Sequence, residues 1–425
     1  MNKFLSRIFF LVYKSISSLF PIFSKYYIRK RIAKGKEHKT RWKEKIAIPS
    51  VSRPKGKIIW LHAVGLGETL ALTGVIESIT LKRDNLTFLV TSSTLHSSQA
   101  FKKNIPKRTI HQFLPLDNKQ YIKKFLEYWR PSIVIWAEQD IWPNFISQLN
   151  QKCVPQILIN ARVTKSSYEK KRRLKPFFSM IYNSFDLISA DNSESAKFIT
   201  KLGIKKNIRI DGSSKISCPP LKVDKKELSN LKLITKKRRV FLVASSHKES
   251  ENIAIEAFEK TYRKDSNDLL IIAPRYPERS KEIQKKISKF SFKVRSLDEI
   301  PDDSIQIFLA DTIGEMGLWY SLATNALIGG SFSEIESHNP WEAINLNCPV
   351  IHGPRIANYY NDYLLLDRGE SAFMVENSFD LIEVWRTTHW PDIVHNMKIL
   401  KSNQIKKMDS LIDEIISFID RSSKN

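Results

Sequence analysis

The amino-acid sequence predicts an α/β protein that is built from two doubly wound domains. Short, continuously apolar runs recur along the chain, and most are followed by a stretch with helical spacing. Strands that are buried on both faces of a parallel sheet have this continuous apolar pattern. The pattern stops at a polar, lysine-rich stretch, residues 222–238, and then starts again, so we interpret this stretch as a linker. A chain of 425 residues is long enough for two such domains.

Each predicted domain contains seven strand candidates. In the first domain, residues 46–221, they are 57–64, 86–93, 110–116, 132–138, 155–162, 186–192 and 207–213. In the second domain, residues 239–425, they are 239–246, 268–275, 292–297, 305–312, 325–331, 348–354 and 371–376. Strands separated by helices predict parallel βαβ units, and the last 25 residues have the pattern of an amphipathic helix.

The first 45 residues predict a membrane-anchor helix followed by a basic segment. Residues 4–23 are strongly apolar, although Arg7 and Lys14 interrupt them, and residues 25–45 carry ten Lys or Arg with interleaved Tyr and Trp. An apolar helix beside aromatic and basic residues is typical of attachment to an anionic, cytoplasmic membrane surface. The alternative is an amphipathic helix that packs on its own domain.

The composition limits the possible partners and compartments. The chain has 69 Lys and Arg against 44 Asp and Glu, a formal net charge of +25. This surplus indicates nucleic acid, anionic lipid or phosphorylated substrates as partners, unless the lysines merely face water. Cys153, Cys218 and Cys348 are far apart and form no CxxC motif, which excludes a disulfide scaffold and a structural zinc site.

A candidate catalytic motif, HAVGLGETLA at residues 62–71, follows the first strand. Gly65 and Gly67 permit a sharp turn, and Glu68 then falls in the first turn of the next helix. A dinucleotide-binding fingerprint would need a third glycine where Leu70 stands, so that interpretation fails. Glu68 is either a charge that complements the helix dipole or a general base at the end of the sheet.

Further polar residues follow other strands of the first domain. Glu138 and Asp140 follow the fourth strand, and in a parallel sheet we expect them at the same edge as Glu68. Arg162 follows the fifth strand and suits an anionic substrate; the alternative is a surface salt bridge. Lys215 lies near the end of the domain, after two serines.

The second domain contains four strand-to-helix turns that are rich in hydroxyl, basic or glycine residues. They are residues 244–250, 273–279, 311–317 and 329–343. The last one includes two glycines, His338 and, in the first turn of the next helix, Glu342. Helix N-termini bind phosphate, and a glutamate there can accept hydrogen bonds from sugar hydroxyls. Capping explains each turn alone, but four at one edge of a sheet predict a nucleotide site.

In this order, the motifs resemble those of the bacterial 3-deoxy-D-manno-octulosonic acid (Kdo) transferases, which attach Kdo to the lipid A precursor. The matching stretches include HAVGLGE, AEQDIWPN, NARVTKSS, GSSK, ASSHKESE, APRYPER, DTIGEMG and HNPWE. The resemblance covers essentially the whole chain. It implies a GT-B fold and an inverting, metal-independent transfer of Kdo from CMP-Kdo to the lipid A precursor (lipid IVA). It also implies a location at the cytoplasmic side of the inner membrane.

The resemblance further implies roles for individual residues. Glu68 matches the family's catalytic base, and Glu138 and Lys215 match residues that assist the transition state. The implied CMP contacts are Pro274, Arg275, Ile313, Gly314, Glu315, Asn339, Pro340, Trp341 and Glu342. Lys215, Arg275 and the helix start near Asn339 are then expected to stabilise the leaving phosphate where other enzymes use a metal. CMP-Kdo is expected as donor substrate, with no separate cofactor, and anionic lipids rather than nucleic acid as further partners.

Two alternatives stay open at this point. One is a related GT-B glycosyltransferase that uses a UDP-sugar on a lipid acceptor, which nucleotide preference would distinguish. The other is a non-catalytic module that binds anionic polymers at a membrane surface, which would show steep salt dependence and no turnover.

Overall fold

The computed structural model of the protein describes residues 3–103, 105–138, 141–261 and 267–422. The chain forms two compact units. The N-terminal unit comprises residues 1–219 together with 404–425, and the C-terminal unit comprises residues 220–403. Each unit contains one seven-stranded sheet in which all paired strands are parallel.

The strands of the N-terminal unit are β1 (Ile58–His62), β2 (Thr87–Ser92), β3 (Thr109–Phe113), β4 (Ile133–Ala137), β5 (Gln156–Ala161), β6 (Leu187–Ala190) and β7 (Arg209–Ile210). Its helices are α1 (Lys3–Ser18), α2 (Phe20–Ala33), α3 (Leu66–Lys82), α4 (Leu95–Lys103), α5 (Lys119–Trp129), α6 (Pro143–Gln151), α7 (Lys165–Arg172), α8 (Lys175–Tyr182) and α9 (Ser193–Lys201). Two short 3₁₀ turns, Arg41–Ile46 and Ser214–Ser217, complete it.

The strands of the C-terminal unit are β8 (Arg239–Ser246), β9 (Asp268–Pro274), β10 (Phe292–Val294), β11 (Ile307–Leu309), β12 (Asn325–Ile328), β13 (Val350–His352) and β14 (Ala372–Met374). Its helices are α10 (Lys225–Ile234), α11 (Lys248–Thr261), α12 (Ser280–Ile287), α13 (Met316–Leu322), α14 (Trp341–Asn345), α15 (Tyr360–Arg368) and α16 (Ser378–Thr387). Helix α17 (Trp390–Arg421) begins in this unit and ends in the other. The 3₁₀ turns are Pro277–Arg279, Arg295–Leu297 and Ala357–Tyr359.

All fourteen predicted strands are present, and each lies within its predicted run except β3, which begins one residue earlier, at Thr109. Their order in the first sheet is β3-β2-β1-β4-β5-β6-β7, and in the second β10-β11-β9-β8-β12-β13-β14. The direction of winding reverses between β1 and β4 in one sheet and between β8 and β12 in the other. In doubly wound folds, the carboxyl ends of the strands at such a switch point are the usual ligand site.

The domain prediction needs two corrections. Residues 404–425 belong to the N-terminal unit, because Leu411, Ile412 and Ile415 of α17 are buried in the apolar layer that covers one face of the first sheet. The stretch 222–238 is not an open linker, since it contains α10, which packs in the C-terminal unit with Leu231 buried. An amphipathic pattern predicts such a helix but does not say which surface it covers.

The predicted anchor forms two helices, α1 and α2, that dock on the N-terminal unit. The Tyr13 hydroxyl donates to Asp117 Oδ2 at 2.6 Å, and Asn118 Nδ2 donates to the Ser17 carbonyl oxygen at 2.6 Å. Ile28 of α2 is buried. The other side of these helices exposes large apolar side chains, at Phe9, Leu11, Val12, Ile16, Leu19 and Phe23. Among the described residues, no helix combines the length and apolar character needed to cross a membrane.

Candidate active site

Glu68 stands at the third position of α3, directly beyond the end of β1. The backbone N–H of Gly65 donates to Glu68 Oε2 at 2.7 Å, so the glutamate caps the start of its own helix. This contact agrees with the capping interpretation of the motif. It also fixes where the carboxylate stands, which a general base requires.

Glu138 is the first residue after β4 and has a left-handed backbone, with φ of +63°. Its backbone N–H nevertheless continues the sheet, donating to the Ile159 carbonyl oxygen at 3.0 Å. A non-glycine residue in this conformation costs on the order of 1 kcal/mol or more, and such residues cluster at functional sites. The turn therefore holds the Glu138 side chain in a defined direction at the carboxyl end of the sheet.

Lys215 approaches Glu138 from the 3₁₀ turn Ser214–Ser217. Its Nζ lies 3.6 Å from Glu138 Oε1, and the two side chains are 11% and 13% exposed. The turn itself packs closely against α3, where Gly74 leaves no room for a side chain: a Cβ there would lie 1.6 Å from the Ser217 carbonyl oxygen. The helix of Glu68 and the turn of Lys215 are thus in direct contact.

Glu138 combines burial with neighbouring charges of both signs. Burial raises its pKa to about 7, against the pull of Lys215 and Arg162, which lower it. The carboxyl group of Glu68 raises the pKa of Glu138 further, through charge repulsion and a hydrogen bond. Glu138 therefore lies close to a second carboxyl group as well as to two cationic side chains. A carboxyl group with a pKa near neutrality suits proton transfer.

Asn160 is a member of this cluster that the sequence did not single out. It lies near the end of β5, is 5% exposed and donates through Nδ2 to Glu138 Oε1 at 3.1 Å. Its position near the end of the predicted strand 155–162, close to Arg162, could have identified it as a site residue. Glu68 after β1, Glu138 after β4 and Asn160 near the end of β5 thus lie close together, at the switch point between β1 and β4. The predicted Asp140 lies outside the described residues.

The C-terminal unit has its own polar cluster beyond β8 and β9. The Nε2 atoms of His247 and His338 lie 2.9 Å apart, so one ring nitrogen donates and the other accepts. Burial lowers the pKa of His338 to about 4, and His247 and Arg275 act in the same direction. Arg275 follows β9, is exposed, and donates its backbone N–H to the Ser246 carbonyl oxygen at 3.1 Å. The histidine pair was not predicted as a unit.

Glu342 belongs to the same cluster. Burial raises its pKa to about 7, while the positive charge of Arg275 lowers it. Asn339 Oδ1 accepts a hydrogen bond from the Trp341 backbone N–H at 3.2 Å, and Pro340 precedes α14. The Trp341 indole is buried and donates to Asp362 Oδ1 at 2.7 Å, so its side chain is part of the core.

The remaining predicted nucleotide contacts surround β9 and its neighbour β11. Pro274 is the buried last residue of β9. Ile313 is 87% exposed, and Gly314 has φ of +98°, a conformation that favours glycine. The Glu315 carboxylate accepts from Arg295 Nη2 at 2.6 Å, which lowers its pKa. The Glu315 carboxylate is therefore already paired with a cationic side chain of its own unit.

Comparison with known proteins decides the family. A family model described as 3-deoxy-D-manno-octulosonic-acid transferase (kdotransferase) matches residues 40–218, which include Glu68, Glu138 and Lys215. A 3-deoxy-D-manno-octulosonic acid transferase of Rickettsia felis is 31% identical over 367 residues, covering 85% of this chain and 78% of that protein. This chain belongs to the Kdo transferase family.

Other Kdo transferases and a solved structure agree with this assignment. The Kdo transferase of Haemophilus influenzae is 28% identical over 338 residues, covering 79% of each chain. The structure of UDP-GlcNAc 2-epimerase from Neisseria meningitidis matches with a TM-score of 0.57 at 15% identity, over 86% of this chain and all of that one. This last likeness concerns the fold alone and confirms the predicted GT-B architecture. The Kdo transferase described here is a glycosyltransferase.

Proposed function

We propose that this Kdo transferase moves Kdo from CMP-Kdo to the lipid A precursor, with inversion at the anomeric carbon. The observation that carries the proposal is the cluster of Glu68, Glu138 and Lys215 at the switch point of the first sheet. Two interacting carboxyl groups, one with a pKa near 7, provide a proton acceptor where ligands of doubly wound sheets bind.

In the proposed step, Glu68 accepts the proton of an acceptor hydroxyl group. The oxygen of that hydroxyl forms a bond to the anomeric carbon of Kdo, while the bond from this carbon to the phosphate oxygen of CMP breaks. The electron pair of the broken bond leaves with CMP. General-base assistance of this kind is typically worth about 10²–10⁴ in rate.

Glu138 and Lys215 contribute charge rather than a new covalent bond. Positive charge develops at the sugar carbon as the leaving group departs, and an ionised Glu138 stabilises that charge. Lys215, 3.6 Å away, favours the ionised form of this carboxyl group. The pair therefore acts most strongly when the transition state forms.

The C-terminal unit is proposed to bind the CMP part of the donor. Arg275 and the helix start near Asn339 would face the phosphate, and Glu342 would accept a hydrogen bond from a ribose hydroxyl. The raised pKa of Glu342 and the effect of Arg275 on it support a site where a carboxyl and a guanidinium group act together.

The proposed mechanism uses no metal ion. Among the described residues, no group of three or more His, Cys, Asp or Glu side chains is placed to hold one. We expect transfer to continue in EDTA at the untreated rate. A loss of activity that Mg²⁺ or Zn²⁺ restores would contradict this part of the proposal.

The direct test is incubation of purified protein with CMP-Kdo and a tetraacylated lipid A precursor, with the product read by mass spectrometry. We expect a mass increase of one or more Kdo units and release of CMP. UDP-sugars tested in parallel should give no product. Transfer from a UDP-sugar instead, or anion binding without turnover, would contradict the proposal and support one of the two alternatives.

We also propose that α1 and α2 attach the enzyme to the cytoplasmic surface of the inner membrane, where they lie in the interface. This proposal is supported by the two different sides of these helices, one bonded to the protein and the other exposed to solvent. Tyr13 and Ser17 bond to the N-terminal unit, whereas Leu11, Ile16 and Phe23 are 60%, 58% and 64% exposed. Exposed apolar side chains beside basic residues bind anionic lipid surfaces.

Replacement of Leu11, Ile16 and Phe23 by serine should therefore abolish flotation with vesicles that contain phosphatidylglycerol. Transfer to a detergent-dispersed acceptor should persist, because the docked side of the helices is unchanged. Serine at the exposed Leu233 and Leu297 of the C-terminal unit is the matched control. Undiminished flotation of the triple variant would show that another surface binds the membrane.

A further inference from the structure

Asn160 connects three parts of the candidate active site through both ends of its side-chain amide. Nδ2 donates to Glu138 Oε1 at 3.1 Å, and Oδ1 accepts from the backbone N–H of Ser214 at 3.3 Å. Ser214 begins the turn that carries Lys215. One buried amide therefore contacts the carboxylate and the turn from which the lysine reaches it.

The backbone conformation at Asn160 directs its side chain toward this contact. Its φ is +53°, in the left-handed region that asparagine and aspartate adopt more readily than most residues. The pairing of β5 with β6 shifts register between Leu158 and Ala161, around this residue. Bulges next to active sites commonly redirect a side chain. Here the irregularity coincides with the residue whose amide reaches Glu138.

We propose that Asn160 is a positioning residue of the transfer reaction, whose amide holds the Glu138 carboxylate and the Lys215 turn in one arrangement. This inference rests on the proposed function of the cluster. The amide acts through Glu138 and has no part in bond formation itself. The amide N–H also stabilises the ionised form of Glu138. Lys215 and Arg162 act in the same direction, whereas Glu68 disfavours this form.

Two substitutions separate these contacts. Asn160→Asp keeps the size of the side chain, its tolerance for a left-handed backbone and an oxygen that accepts from Ser214. It replaces the donor to Glu138 by a third carboxylate beside Glu68 and Glu138. Asn160→Ala removes both contacts. Asn183→Asp is the matched control, because the Asn183 amide also joins separate segments of the same unit, donating to Ser179 and Gly203 and accepting from Lys205.

The experiment measures kcat and KM for CMP-Kdo from about pH 5.5 to about pH 9, so that both sides of neutrality are covered. CMP affinity and the unfolding midpoint of each variant are measured as well. For Asn160→Asp we expect the acid limb of the kcat profile to move up by about one pH unit. For Asn160→Ala we expect kcat to fall about 10- to 100-fold, with KM and CMP affinity within about threefold of wild type. The control should match wild type in the position of its acid limb.

The outcomes are distinguishable. If the wild-type protein transfers no Kdo, the proposed function fails. If the wild-type protein is active but Asn160→Asp keeps its acid limb and a kcat within threefold, only the positioning role is wrong. The position of a pH limb does not depend on the amount of folded protein, so partial unfolding of a variant does not imitate the effect. A shift of the same size in Asn183→Asp would also overturn the inference.

Discussion

Lys215 Nζ lies 3.6 Å from Glu138 Oε1, and both side chains are largely buried. The two residues come from different strand-to-turn junctions of the N-terminal unit. An ion pair with so little access to water is screened less than a surface pair, so removing one partner leaves an uncompensated charge. The pair therefore couples the ionisation of Glu138 to the presence of the lysine.

Lys215→Ala should lower kcat by at least about tenfold while leaving KM for CMP-Kdo nearly unchanged. The reason is that the lysine charge supports the ionised Glu138 in the transition state rather than binding the ground-state nucleotide. Steady-state kinetics measure both constants. Lys201→Ala, an exposed residue at the end of α9, is the control and should behave as wild type. A rise in KM with unchanged kcat would assign Lys215 to substrate binding instead.

Transfer by the wild-type enzyme should increase with pH through about 7. The proposed mechanism needs Glu68 free to accept a proton and Glu138 ionised, and burial raises the pKa of Glu138 to about 7. Below that pH Glu138 is increasingly protonated, and activity falls. A profile of kcat/KM reports the apparent pKa of this ionisation in the free enzyme. An acid limb near pH 4.5, the ordinary range of a carboxyl group, would contradict the effect of burial on the pKa of Glu138.

Glu342→Ala should raise KM for CMP-Kdo by about 10- to 100-fold with a smaller effect on kcat. A hydrogen bond to a charged group contributes about 1.5–3 kcal/mol, and the proposed ribose contact exists before the reaction. Calorimetric titration with CMP measures the loss directly. Glu334→Ala, an exposed residue of the same segment, is the control. Unchanged CMP affinity in Glu342→Ala would remove Glu342 from the nucleotide site.

Gly74→Ala should destabilise the N-terminal unit by about 1–3 kcal/mol. A Cβ at this position would lie 1.6 Å from the Ser217 carbonyl oxygen, and backbone atoms cannot move aside as a flexible side chain can. The substitution should also reduce kcat, because the displaced turn carries Lys215. Urea unfolding measures the stability, with Glu77→Ala on the exposed side of α3 as control. Equal stability of the two variants would show that helix and turn separate at little cost.

The sequence predicted the strands well because both sheets are parallel and buried on both faces. Runs such as 57–64 and 239–246 contain uninterrupted apolar stretches for that reason, and the polar residues that follow these stretches mark the carboxyl edge. Glu68 and Glu138 could be placed at one edge by this rule alone. The resemblance to Kdo transferases then supplied the roles that spacing could not.

The contacts that the sequence did not predict depend on non-local geometry. Asn160 reaches Glu138 because β5 lies beside β4 and because the chain bulges near its end. His247 and His338 meet because β8 and β12 are neighbours. The end of α17 returns to the N-terminal unit, although its amphipathic pattern fits either sheet. Strand order and register decide these contacts, and neither can be read from a local pattern.

Glu68 is the proposed proton acceptor of Kdo transfer, and the Glu68→Gln variant tests this role. Glutamine keeps the shape and an oxygen that accepts from the Gly65 N–H, so the start of α3 and CMP binding should be preserved. It cannot take up the proton, so transfer should fall by about 10²–10⁴. Glu77→Gln, exposed on the same helix, is the matched control and should remain active. The measurement is the rate of Kdo transfer to the tetraacylated precursor by folded, CMP-binding protein. A large loss of transfer in Glu68→Gln is the expected result, and a rate within threefold of wild type would show that Glu68 is not the proton acceptor.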